Sequence, residues 1–353
     1  YSWYPFSAMV FTRVVSARLT DSVNSIALSR RYSWKTDVRD MLQPRYTGIP
    51  TFMRLPLVRK MDEIRDLDIA VVGVPFDGGV TNRPGARHGP REVRNSSTMM
   101  RSINHATKVN PYEFCRVADV GDVPFTRIYD LSASHDEIAH FFSQLASMGV
   151  TPLAVGGDHS ITYPIFRGLA EGAANRTPSY SDPRLGMVHI DAHTDTWDVF
   201  MEEKLNHGAP FRRAVENNLL DPARTIQIGI RGAQNVDEGW RYSQESGMKV
   251  LFIEDVRAMG VEAVIAEARR VVGDGPTYVS FDIDALDPAY APGTGTPEVG
   301  GMDPLQAMQV LRGLRGLDLV GADVVEVSPP FDHANLTAMA GATIAYELLC
   351  LLS

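Results

Sequence analysis

Cysteine is nearly missing from this chain: Cys115 and Cys350 are the two among 353 residues. Two distant cysteines cannot build a disulfide framework or a thiolate zinc site, so they read as core or half-buried residues of a protein from a reducing compartment. No apolar run approaches the roughly 20 residues needed to span a bilayer. Basic residues are outnumbered, 34 against 43 acids for a net charge of −9, and form no long run. That balance argues against nucleic-acid binding and, if anything, suits a cationic ligand. Internal repeats, low-complexity tracts and linkers are missing too. What remains is 44% hydrophobic and 22% charged, enough for one large α/β domain or two smaller ones.

The N-terminus stands apart. The stretch FTRVVSARLTDSVNSIALSRRYSW (11–34) is rich in Arg and Ser, with Asp21 as its one acid, which is the flavour of an organellar transit peptide. The preferred reading is an arm, residues 1–45, that packs on a neighbouring subunit of a cytoplasmic protein; a targeting segment for the mitochondrial matrix is the other.

From Asp68 onward, short aliphatic and β-branched runs alternate with helical patterns. Seven of them, 68–74, 151–157, 184–190, 225–230, 249–253, 276–283 and 323–328, are near-continuous apolar runs, as expected of a parallel sheet covered on both faces. Ser134 and Glu137 have capping-box spacing ahead of a helix that closes at Gly149. Asp303-Pro304 reads as the N-cap and first position of a helix through LQAMQVLRGLRGL. GVEAVIAEARRVVG ends at Gly273, and LTAMAGATIAYELLCLL is a long apolar C-terminal helix. The alternation predicts one doubly wound α/β domain over residues 46–353.

Residues 189–198, HIDAHTDTWD, place Asp191, His193, Asp195 and Asp198 directly after an apolar run. Crowded carboxylates raise one another's pKa and cost stability unless a positive charge sits between them. These side chains therefore either splay into water or surround a cation. Four stretches of such chemistry fall at expected strand ends: GGDHS (156–160), DAHTD (191–195), DIDALDP (282–288) and EVSP (326–329). In an open α/β sheet that carboxyl edge is where ligands bind. If the chain stays extended there, side chains at i, i+2 and i+4 share a side. Asp191, His193 and Asp195 then point together, as do Asp282 and Asp284. With His159 they amount to two imidazoles and four carboxylates, more than one ion needs and suited to two ions about 3.5–4 Å apart. Oxygen-rich donors with a minority of nitrogen favour Mn²⁺ over Zn²⁺. His189 shares the register of Asp191 but precedes the strand end, and reads as a core histidine with a hydrogen-bond partner.

Taken together, GGDHS, HIDAHTDT, HGAPFRR, SFDIDALDPAYAPGTGTPE and EVSPP resemble the motifs of the ureohydrolases, the family of arginases, agmatinases and relatives that release urea from guanidino groups. The likeness runs from about Gly48 to Leu352. NRPGARHGPREVRN and GLDLVGADVVEVSPPFD are most similar to the agmatinase branch, especially its guanidinopropionase- and guanidinobutyrase-like members. The resemblance implies a three-layer α/β/α sandwich around a central, mostly parallel sheet, a binuclear manganese centre with nickel as the other candidate, and a homo-oligomer, trimer or hexamer. It implies that His159, Asp191, Asp195 and Asp282 hold one ion and that Asp191, His193, Asp282 and Asp284 hold the other. By the same resemblance Glu326 binds the substrate guanidinium, and His207, in NHGAP, relays protons to the departing amine. The chemistry is consistent: a carboxylate can take two parallel N–H bonds, a cation lowers the pKa of a bound water towards about 7, and Asp195 beside it could act as general base and then acid. The plainer alternatives are an exposed acid at a strand end for Glu326 and a structural loop histidine for His207.

Loops around 77–87 and 196–209 should line the substrate's tail. Trp197 either packs under its loop or fills the tail space and stacks on the cation. The second reading makes the substrate short: guanidinopropionate, guanidinobutyrate, an alkylguanidine or guanidine itself. NRPGARHGPREVR (82–94) carries four arginines that could pair with a substrate carboxylate or form salt bridges within or between subunits. PGTGTP (292–297) lacks the Lys and the setting of a phosphate loop. Asp198 and Asp287 are weaker candidates, Asp287 reading as a turn cap before Pro288. The expected activity is metal-dependent hydrolysis of a guanidino compound to urea and an amine. Its rivals are agmatine hydrolysis, formiminoglutamate hydrolysis with release of formamide, and a silent partner subunit. The last predicts missing ligands, and none is missing.

Overall fold

The computed structural model describes residues 44–176 and 184–353; the expected arm lies almost wholly outside them. Eight strands form one sheet among the described residues: β1 (Ile69–Val74), β2 (Val117–Asp122), β3 (Thr151–Gly156), β4 (Leu185–Ile190), β5 (Leu220–Ile230), β6 (Lys249–Phe252), β7 (Thr277–Asp282) and β8 (Leu319–Val325). Their order across the sheet is β2-β1-β3-β8-β7-β4-β5-β6, and every neighbouring pair is parallel. Parallel neighbours require crossovers, and helices supply them.

The principal helices are α1 (Gly89–Ser97), α2 (Leu131–Met148), α3 (Thr162–Arg176), α4 (Pro210–Glu216), α5 (Glu238–Ser246), α6 (Ile253–Met259), α7 (Val261–Val272), α8 (Pro304–Gly313) and α9 (Leu336–Leu352). Successive strand residues point to opposite faces, and the core divides accordingly. Val71, Val155, Val188, Phe281 and Val324 pack with α1, α7, α8 and α9 through Val93, Ala268, Val310 and Leu348. Val72, Ala154, Met187, Tyr278 and Val325 pack with α2, α3 and α4 through Phe142, Phe166 and Phe211. The result is the expected three-layer α/β/α sandwich. Among the described residues no helix is long and apolar enough to cross a membrane.

Several local expectations are corrected. Strand β2 was not expected, because Asp119, Gly121 and Asp122 interrupt its apolar run. Asp119 is nonetheless fully buried, where it accepts from Phe52 N at 2.9 Å and Arg94 Nε at 2.9 Å. Strand β8 starts four residues earlier than expected, at Leu319 rather than Asp323, and stops at Val325. It stops there because Glu326 takes a left-handed φ of 63°. Helix α2 is capped by Asp130, whose carboxylate accepts from Ala133 N at 2.9 Å, and not by Ser134. Ser134 lies one turn inside and donates to Arg127 O at 3.2 Å. The cap at Asp303, with Gln306 completing a capping box, and the helix ends at Gly149 and Gly273 are as expected.

Candidate active site

The four motif-bearing strands, β3, β8, β7 and β4, are consecutive across the middle of the sheet. Their carboxyl ends therefore open onto one place. Asp158 ends the β3 segment and caps a short turn by accepting from Ser160 N at 2.9 Å, which turns His159 inward. The His159 ring is 1% exposed, and its Nδ1 lies 2.8 Å from Asp195 Oδ2 and 3.2 Å from both Asp191 Oδ2 and Asp282 Oδ2. Past β4, His193 Nδ1 lies 3.2 Å from Asp284 Oδ2 and 3.5 Å from Asp191 Oδ1. The two oxygens of Asp191 thus face two separate groups of donors.

The convergence does not arise from an extended chain, as the alternation argument supposed. Asp195 sits at φ 52°, in the left-handed region, and Asp284 lies in a tight turn whose N–H is accepted by Asp282 Oδ1 at 2.8 Å. Turns, not strand parity, aim these side chains. In two sets one donor atom from each residue lies within 4.8 Å of those of the others: His159, His189, Asp191 and Asp195, and separately Asp191, His193 and Asp284. Asp282 adjoins the first through His159. His189 has other work. Gln227 Nε2 donates to Thr194 O and sits 3.1 Å from His189 Nδ1, so Nε2–H of His189 donates to Asp191 Oδ2 at 2.7 Å.

Electrostatics show what such crowding asks for. Burial pushes Asp282 well above the usual carboxylate range, and Asp284 and Asp191 push it further. Asp284 is raised as well, by burial first. Burial alone would lower His159 and His193, but the surrounding aspartates hold both rings well above the ordinary histidine value. The cluster is a trap for positive charge, whether protons or metal ions. The buried Nδ1 of His159 has no hydrogen-bond partner among the described residues while three carboxylate oxygens surround it. Mixed imidazole and carboxylate donors in two sets that share Asp191 fit a pair of divalent ions.

Glu326 stands beside this centre, 1% exposed rather than solvated. Its Oε1 accepts from His159 N at 2.8 Å and pairs with His207 Nδ1 at 2.9 Å, while Oε2 is buried without a partner among the described residues. A Cβ on Gly295 would lie 3.5 Å from that Oε2 and 3.3 Å from Asn82 O, so the missing side chain keeps the space beside the carboxylate open. His207 Nε2 meets Thr81 twice, Oγ1 at 2.7 Å and the backbone N–H at 3.1 Å. That N–H needs a lone pair on Nε2 and so describes a neutral ring. Burial also favours the neutral ring and is the largest single influence, yet Glu326, Asp158 and Asp195 together outweigh it and raise His207 to about 9. The Thr81 hydroxyl can donate to a bare Nε2 or accept from a protonated one, so the pocket serves both states. Asp158, lifted to about 7 by burial and then by Glu326, accepts from Gly79 N at 2.8 Å and ties the Thr81 loop down.

The remaining sequence candidates separate cleanly. Asp198 pairs with Arg212 and Arg213, and Asp287 caps a turn by accepting from Ala289 N and Gly300 N. Of the arginines in 82–94, Arg87 pairs with Asp77 and Arg94 with Asp119 and Asp122. Arg83 instead stacks over Phe331, 4.3 Å from its ring centre, and pairs with no carboxylate among the described residues. Trp197 is partly buried, and its indole edge lies against Gly239 of α5, where a Cβ would come within 3.0 Å of Nε1. Sequence reading missed Thr81, Asp158, Arg231, Ser280, Thr296 and Asp323. Arg231 Nη2 donates to Asp284 O at 2.6 Å, and Thr296 Oγ1 to Asp284 Oδ2 at 3.3 Å. A signal existed for Ser280 and Asp323, single polar residues inside apolar strands, where burial obliges them to find partners.

Residues 67–350 match the arginase family. The chain belongs to that family, whose members are built around a binuclear metal centre. It is 56% identical over 311 residues to guanidinopropionase of Pseudomonas aeruginosa, covering 88% of this chain and 93% of that one. Guanidinobutyrase of the same organism is 45% identical over 88% of this chain and 94% of its own. The solved proclavaminate amidinohydrolase of Streptomyces clavuligerus superposes with a TM-score of 0.81 at 37% identity, covering 88% of this chain and 99% of that chain. The protein is a hydrolase acting on a small guanidino compound.

Proposed function

We propose that the substrate is a short guanidino acid, of the length of guanidinopropionate, cleaved to urea and an amino acid. The observation that carries this is the partnerless Oε2 of Glu326, buried beside the two donor sets. A guanidinium N–H is the natural occupant of such an acceptor. Arg83 supports the acid tail: it is a cation paired with no carboxylate among the described residues, on the loop that faces Glu326 across Gly295. The name of the 56% identical relative points the same way.

In this reading His159, Asp191, Asp195 and Asp282 would hold one ion and Asp191, His193, Asp282 and Asp284 the other. When bound, the ions lower the pKa of water so that a nucleophile is available at neutral pH. Glu326 orients the guanidinium, Asp195 accepts and returns a proton, and His207 carries a proton towards the leaving amine with Thr81 at its outer nitrogen. Trp197 bounds the tail space. Manganese suits the oxygen-rich donors better than nickel. A homo-oligomer, trimer or hexamer, and a cytoplasmic or mitochondrial location remain parts of the proposal, open to light scattering and to imaging of the tagged protein.

The test is a urea-release screen over guanidine, methylguanidine, guanidinopropionate, guanidinobutyrate, agmatine and arginine, with Mn²⁺ and Ni²⁺ in turn. Guanidinopropionate with Mn²⁺ should give the highest kcat/KM. A preference for agmatine, release of formamide from formiminoglutamate without urea from any guanidino compound, or no turnover at all would each overturn it.

A further inference from the structure

Asp323 is a fully buried carboxylate in the interior of β8, and nothing in the chemistry above uses it. It accepts three hydroxyl hydrogen bonds: Ser280 Oγ on Oδ1 at 2.7 Å, and Thr162 Oγ1 at 2.8 Å and Tyr278 OH at 3.1 Å on Oδ2. Ser280 Oγ in turn lies 2.8 Å from His159 Nε2. A serine hydroxyl carries one proton. Spent on Asp323, that proton leaves lone pairs towards the histidine, so Nε2 must carry the hydrogen and donate it. The proton bookkeeping fixes His159 with Nε2–H and leaves Nδ1 as the nitrogen available for a metal, on the side where Asp191, Asp195 and Asp282 converge.

We propose that Asp323, acting through Ser280, is a positioning residue that sets the tautomer of His159 and so prepares Nδ1 as a ligand. The proposal rests on the metal-centre reading above, and not on which guanidino compound is cleaved. Partners behind a ligating histidine typically govern metal affinity by 10–100-fold.

Asp323→Asn gives a directional test. Two hydroxyl donors on Oδ2 favour the amide oxygen there, which turns the NH₂ towards Ser280. Ser280 then accepts from the amide and donates to Nε2, and the histidine proton moves to Nδ1. Mn²⁺ affinity, measured by chelator competition on the full chain without substrate, should fall about 10–100-fold. Thr162→Val removes a different donor from the same carboxylate and should change it less than about threefold. Ser280→Ala, needed if Asp323→Asn fails to fold, should weaken binding about tenfold or more, and Ser280→Thr should restore it. Wild-type affinity in folded Asp323→Asn or Ser280→Ala, or an equal loss in Thr162→Val, overturns the proposal. Wild-type protein that binds no Mn²⁺ overturns the metal-centre reading beneath it.

Discussion

Glu326 shows how much one backbone angle can decide. Its left-handed φ ends β8 and places the carboxylate beside the aspartate–histidine cluster, where one oxygen serves His159 and His207 and the other has no partner among the described residues. A hydrogen bond to a charged group contributes about 1.5–3 kcal/mol. Glu326→Gln is therefore expected to lower kcat/KM about 10–100-fold while bound metal, measured by elemental analysis, stays unchanged. Asp284→Ala should instead lose metal together with urea release, because its carboxylate belongs to the second donor set. His207 supplies a pH signature in metal-free protein. Burial pulls its folded pKa down, but Glu326, Asp158 and Asp195 together raise it to about 9, above the ordinary histidine value. The folded state then binds the proton more tightly than the unfolded one, so stability falls as pH rises between them. The excess stability of wild type over His207→Gln should be full below about pH 6.5 and disappear as pH climbs through about 9. Thermal unfolding across that window checks the sign.

Local elements follow rules that are mostly visible in the sequence, with ambiguity where two polar residues compete for a role. Asp130 and Ser134 both precede helical sequence, and the aspartate wins because its carboxylate reaches Ala133 N while Ser134 turns back to Arg127. Asp130→Ala should cost about 1 kcal/mol in unfolding free energy with kcat unchanged. The loop after β4 is harder to read. Trp197 is pressed against Gly239 of α5 at its indole edge. Trp197→Ala is expected to raise turnover of 4-guanidinobutyrate relative to guanidine, and an unchanged ratio assigns the indole to packing alone.

For the domain as a whole, a cluster of four aspartates and two histidines, all but His193 buried, is a load on the fold unless positive charge is bound among them. Chelation should lower the melting temperature and added Mn²⁺ should restore it, since a ligand at 100 times its Kd stabilises the native state by about 2.7 kcal/mol. Calorimetry with and without chelator would detect it. The fold class was legible throughout, because continuous apolar runs alternating with helix signals admit few architectures. The residues that gather at the sheet's carboxyl edge were legible as well, since aspartates and histidines crowded at expected strand ends stand out against apolar runs. The reason they converge was not: an extended chain was expected, and turns at Asp195 and Asp282–Asp284 do the aiming.

Composition and pattern alone determined a parallel α/β domain with an acidic, histidine-bearing rim, because period, burial and charge are local properties that each segment carries by itself. They could not determine that β3, β8, β7 and β4 would be neighbours. Nor could they place Thr81 on His207 or put Asp323 behind His159 through Ser280. Those pairings join residues some 40 to 170 positions apart in the chain, and only the order in which crossovers return strands to the sheet brings them within hydrogen-bond distance.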